Sequence, residues 1–160
     1  MIEIKSINKS IDTIQQTRKM FLKLMEDLSI DSLNKVPEGF TNNIIWNFGH
    51  AIVSQQIICY KLATLPLKID ESYILKYSKG TKPETFLDEN ELAFLKEQAV
   101  VLIDELITDI ENNEFNNYSS YTTAFGVELN SVNDAIKYLT MHEGLHLGYA
   151  MALKRSINKQ

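Results

Sequence analysis

Apolar residues recur at intervals of mainly three and four in four long stretches, and this spacing constrains the fold more than any other feature. The first runs roughly from Ser6 to Leu28, where Ile7, Ile11, Ile14, Phe21, Leu24, Met25 and Leu28 form one stripe. The second begins near Thr41 or Asn42, both good N-cap types, carries Ile45, Trp46, Val53, Ile57, Tyr60 and Leu65, and stops before Pro66. The third opens with Asp88, and Glu91 three residues later gives a capping-box-like start to Leu92, Leu95, Ala99, Leu102, Leu106 and Ile110. The fourth runs from Ser131 to Arg155, with Asp134 near its start and Lys154 and Arg155 near its end, as the helix dipole favours.

Four amphipathic helices predict an all-α four-helix bundle occupying residues 1–160 as one domain. Asp31 to Gly39 reads as a connection. Longer loops are expected between helices 2 and 3, over Pro66 to Leu87, and between helices 3 and 4, over Asn112 to Asn130. Tyr118 to Thr123 is β-prone, but no neighbouring segment offers it a sheet.

Composition narrows the function classes. The formal net charge is −5, and acidic and basic residues are mixed along the chain. Nucleic-acid binding needs a concentrated basic surface, so no nucleic-acid partner is expected. The apolar runs are far shorter than a membrane span, and the N-terminus lacks a secretory apolar region. Cys59 is the only cysteine and has no internal disulfide partner. A cytoplasmic protein without a membrane partner is the expectation.

The three histidines are His50, His142 and His146. Met141-His142-Glu143-Gly144-Leu145-His146 sets two of them four residues apart, about 40° in azimuth on a helix. Ala135, Tyr138, Leu139, Leu145, Tyr149 and Leu153 share that face to within about 60°, so the pair is expected to point into the bundle. His50 lies mid-way along the second helix, with Trp46, Val53 and Ile57 within about 60° of it, and should also face inward. Unpaired buried polar groups cost roughly 1–3 kcal/mol each, and one shared divalent metal ion would satisfy all three imidazoles. Three nitrogen ligands leave open positions, as in a catalytic site. A lone inward histidine is more often a packing residue; three at inward, mid-helix positions favour a metal.

The same segment matches His-Glu-x-x-His, the zinc-protease signature, in which the glutamate is general base and a third ligand lies downstream. No Asp, Glu or His follows His146, so the third ligand must come from upstream, where His50 is the available histidine. Glu143 is the candidate catalytic residue, hydrogen-bonding a water on the ion or orienting a ligand; the plainer reading is a glutamate at the stripe's edge or on the surface.

Trp46-Asn47-Phe48-Gly49-His50 resembles the Trp-x-x-x-His start of the second helix in the DinB/YfiT-like superfamily. Met141 to Tyr149 resembles that family's last helix, His-x-x-x-His followed by Gly and a polar or aromatic residue, and Tyr121 to Gly126 is similar to the turn before it. The resemblance spans nearly the whole chain. It implies a four-helix bundle with a three-histidine site for nickel, zinc or a similar ion, with His50, His142 and His146 as the ligands, and often a homodimer. Its members include thiol-dependent S-transferases, a mycothiol-dependent isomerase and proteins described as metal-dependent hydrolases. The expected partners are a small-molecule substrate and a low-molecular-weight thiol.

Other residues carry open readings. Cys59 lies about 180° around the helix from His50 and reads as a buried thiol outside the site. Asn47 and Ser54 flank His50 and either line a pocket or pack helices. Tyr149 either presents its hydroxyl near the metal or packs in the core. Gly144 and Gly148 each cost about 1 kcal/mol in a helix relative to Ala, which close approach of a neighbouring helix or a second subunit would offset. The functional expectation is a metal-dependent enzyme activating water or a small thiol. A non-catalytic metal- or ligand-binding bundle and a plain structural bundle are the alternatives.

Overall fold

The computed structural model describes residues 2–158. Its long helices are α1 (Ile2–Met25), α3 (Ile44–Gln55), α5 (Glu89–Glu111) and α6 (Val132–Ile157). α6 packs on both α1 and α3, and each of those also meets α5, which closes the four into a bundle. Asp88 caps α5 as the sequence predicts, and Ser131, expected at the start of the last helix, is the N-cap of α6. The second long helix starts one residue later than expected: Asn43, and neither Thr41 nor Asn42, accepts the Trp46 N–H at 2.8 Å. Its C-terminal half leaves α geometry for a π-helical stretch, Gln56–Lys61, where the Leu62 N–H reaches back five residues to the Ile57 carbonyl.

Three expected loops carry structure. The Asp31–Gly39 connection overlaps α2 (Ile30–Asn34), capped by Ser29. The Pro66–Leu87 loop contains α4 (Glu71–Tyr77), capped by Asp70. These helices are too short for periodicity to reveal. Tyr118–Thr123 does find a partner: β1 (Tyr121–Thr122) pairs antiparallel with β2 (Glu128–Leu129). The intervening turn closes when the Gly126 N–H bonds the Thr123 carbonyl at 2.9 Å, with Gly126 at φ 75°. Leu129 anchors this hairpin in the core.

The core forms two apolar clusters. One gathers Phe21, Phe48, Ile52, Leu95, Leu102 and Leu147; the other gathers Ile11, Ile14, Ile58, Leu106, Ala135 and Leu139. On three of the four long helices a polar side chain stands between them in sequence: Arg18 on α1, Gln55 on α3 and Glu143 on α6, all buried. No helix among the described residues is long and apolar enough to cross a membrane.

Candidate metal centre

α3 carries His50 and α6 carries His142 and His146, and the contact between these helices brings the three rings together. One nitrogen from each lies within 4.8 Å of the other two. Ring centroids are 5.1 Å apart for His50 and His142, 4.6 Å for His50 and His146, and 4.7 Å for His142 and His146.

Hydrogen bonds set two of the tautomers. His50 Nδ1 lies 2.7 Å from the Tyr77 carbonyl, which only accepts, so Nδ1 carries the proton and Nε2 is left as the ligand atom. Asn47 donates its amide N–H groups to Asn42 Oδ1 and the Asn43 carbonyl, which fixes its Oδ1 as an acceptor 2.8 Å from His146 Nδ1. His146 Nε2 is thereby freed in the same way. Trp46 stacks on His50 at 4.8 Å and 8°, and its indole N–H is held by Thr81 Oγ1 at 2.9 Å. Ser54 Oγ lies 3.4 Å from His50 Nε2. Both flanking residues of His50 thus touch the site: Asn47 orients a ring and Ser54 borders the nitrogen face.

The residues fit a metal ion. His142 Nδ1 is buried with no hydrogen-bond partner, a cost that an ion bound at that nitrogen would remove. Burial holds His142 down to about 4 and His146 to about 3, reinforced in both by neighbouring histidines. His50 is lowered by burial, partly offset by the Tyr77 carbonyl. All three are therefore neutral near pH 7, the form that coordinates. A three-imidazole set suits Zn, Ni, Cu and Fe.

The site is open on one side. A cavity of about 180 Å³ is lined by His50 and His142 together with Ile57, Leu62, Tyr121 and Tyr138. A larger groove of about 550 Å³ beside Trp46 and Tyr77 includes none of the histidines.

Glu143 is not part of the cluster. It is fully buried, which corrects its reading as an edge or surface residue, and its carboxylate turns to Arg18. Arg18 Nη2 lies 2.8 Å from Oε1, and Nε lies 3.1 Å from Oε2. The same guanidinium donates to the Ala99 carbonyl on α5 and to Gln55 Oε1 on α3. Burial pushes the Glu143 carboxyl up, and Arg18 opposes that shift. The carboxylate is engaged in joining four helices and does not line the cavity.

The inward face of α6 is accordingly rotated from the expected one. Ala135, Ile136, Leu139, Glu143, Leu147, Ala150 and Leu153 are buried, while Leu145 and Tyr149 are 49% and 39% exposed. His142 and His146 occupy the edge of this face, and the cavity reaches His142 there. Tyr149 sets its ring edge-on against Phe40 at 5.6 Å. Cys59 is buried and outside the cluster, its thiol pushed up by burial. A Cβ on Gly144 or Gly148 would meet nothing within 4 Å, so no helix of this chain packs there, contrary to one of the two expected explanations.

Sequence reasoning missed Arg18 and Tyr77. Arg18 was legible as a charge set within the stripe Ile11, Ile14, Phe21, Met25. Tyr77 acts through its backbone carbonyl, which leaves no mark in the side-chain pattern.

A bundle of four long helices with three histidines converging at the edge of its core defines a class of small helical proteins with a nitrogen-donor cluster that could hold a metal ion. Within that class the chain belongs to the DinB superfamily, whose family model matches residues 13–150. A crystal structure described as a conserved protein from Enterococcus faecalis superposes with a TM-score of 0.70 over 96% of this chain and 97% of that one. Their sequences are 12% identical, so this likeness concerns the fold alone. No curated protein matches the chain.

Proposed function

We propose that this protein is a metal-dependent enzyme that activates water or a small thiol, using one nickel or zinc ion held by His50, His142 and His146. The observation that carries the reading is the cavity that opens onto His50 and His142, the arrangement of an accessible centre. A bound ion there would lower the pKa of a coordinated water or thiol, so that a nucleophile exists at neutral pH.

The chain's own residues supply the rest. Tyr77 and Asn47 hold two imidazoles with their Nε2 atoms free. Trp46 covers one face of His50. Ile57, Leu62 and Tyr138 provide apolar walls that exclude water from a bound substrate. Cys59 is buried away from the cluster, so a thiol would be supplied from outside as a small molecule. The exposed face of α6 around Gly144, Leu145 and Gly148 is the surface that a second subunit would cover in a homodimer.

The test is turnover by metal-loaded protein, with and without low-molecular-weight thiols, against chlorinated or epoxide acceptors and against ester or amide substrates. Thiol-dependent turnover abolished by His142→Ala supports S-transfer, and thiol-independent turnover abolished by the same change supports hydrolysis. If added thiol and imidazole leave the spectrum of a cobalt-substituted form unperturbed, the reading fails and a non-catalytic metal-binding bundle replaces it.

A further inference from the structure

The cavity beside the histidines has an uneven charge lining. The cavity is lined by His50, His142, Ser54 and Thr123 together with apolar and tyrosine side chains. Lys79 is the one charged residue among the lining residues, and no carboxylate accompanies it. Lys68, Lys76 and Lys154 each hold an acidic partner within 3.0 Å, and Lys79 is in no ion pair among the described residues.

The backbone holds Lys79 over the cavity. It lies two residues after Tyr77, whose carbonyl binds His50. Two residues further on, Thr81 Oγ1 bonds the Lys76 and Ser78 carbonyls at 2.9 and 2.8 Å and receives the Trp46 indole N–H. Gly80 turns the chain at φ 90° between these anchors. The loop's far end is tied where Asn34 bonds both the N–H and the carbonyl of Leu87. Lys79 thus rides on a turn tied through Tyr77 to His50 and through Thr81 to Trp46. Lys79 is exposed at the cavity rim, and a cation beside a largely apolar lining without carboxylates favours a ligand that carries a negative charge.

We propose that the cavity takes a small molecule with an anionic group, of the carboxylate class, that pairs with Lys79 while its reactive end lies at the histidines and its apolar middle packs between Ile57, Leu62 and Tyr138. This rests on the open-centre reading above and names the substrate class for it. A lysine is a compact point charge, so it selects for charge and not for a planar fork.

The experiment titrates cobalt-substituted protein at low salt with 3-mercaptopropionate and with its neutral isostere 3-mercaptopropionamide, following the thiolate-to-cobalt absorption. The carboxylate is expected to bind roughly tenfold more tightly, the effect of a charge-assisted contact in a partly desolvated site, and the advantage should shrink as salt rises. Lys79→Gln should reduce the preference to less than about threefold, and Lys79→Arg should retain it, as expected when charge and not shape selects. Affinity for the amide should be the same in all three proteins, which shows that the metal centre and fold are intact. Equal binding of the two thiols by the wild type, or a preference that persists in Lys79→Gln, overturns the inference while leaving the open centre standing. Absence of any thiolate absorption with either compound overturns the open-centre reading and this inference with it.

Discussion

Glu143 Oε1 lies 2.8 Å from Arg18 Nη2, and the two side chains are 0% and 2% exposed at the point where α6 crosses α1. The residue next to His142 in sequence is therefore a structural anion. Glu143→Ala would leave Arg18 charged, buried and without its main partner, at a cost of about 3–5 kcal/mol. At about 2–4 °C per kcal/mol for a chain of this size, the melting temperature should fall by roughly 6–20 °C. An Arg18→Met, Glu143→Leu double variant should recover much of that loss. A Glu143→Ala protein that melts like the wild type would refute this role.

Asn47 orients His146 through a single acceptor oxygen. Asn47→Ala removes that acceptor and leaves the ring free to turn. Groups that orient a metal ligand typically contribute 10- to 100-fold in affinity. Competition against a chelator of known affinity should show a loss of about that size, with the helical circular-dichroism signal preserved. Unchanged affinity would mean that the packing of α6 alone sets the ring.

Gly49 precedes His50, and a Cβ there would lie 2.6 to 2.8 Å from three ring carbons of Tyr77. The same tyrosine supplies the carbonyl that binds His50. Gly49→Ala should displace Tyr77, lower stability by about 1–3 kcal/mol as overpacking does, and weaken metal binding together with it. Thermal melts and chelator competition on the one variant measure both. A stabilised variant, as the higher helix propensity of alanine alone would give, contradicts the close packing.

The histidines make the metal-free protein sensitive to mild acid. His142 and His146 have native values near 4 and 3, and His50 is also lowered, against about 6.5 for histidine in an unfolded chain. Between those limits the unfolded chain binds more protons, so stability rises with pH through that window. The histidine contribution is fully present above pH 6.5 and is lost as pH falls towards 4. The metal-free melting temperature should drop over that range, more steeply than in a variant with all three histidines replaced by Gln. Parallel pH profiles for the two proteins would contradict the burial of neutral imidazoles.

The bundle was legible because Leu, Ile and Phe recur at helical spacing over more than five turns in three of the four long helices, and Asp88 with Glu91 announces the start of α5. The short helices α2 and α4 and the two-residue strands were not legible, since five to seven residues carry too little periodicity. The convergence of the histidines followed from their spacing and from His50 being the remaining imidazole. The orientation of α6 did not follow, because a buried glutamate is improbable until its arginine is found. Arg18 is 125 residues away, and only the packing of α1 on α6 joins them. The cavity depends likewise on a turn after α4 and a hairpin before α6, both held by local hydrogen bonds that side-chain patterns do not record.

The most direct test is the metal content of protein produced without a histidine tag, measured by elemental analysis before and after incubation with excess nickel or zinc and desalting. Close to one ion per chain is expected after loading, as three converging imidazoles would hold. His142→Ala should lower that stoichiometry sharply while the fold is retained. Less than about half an ion per chain after loading would contradict a three-histidine site.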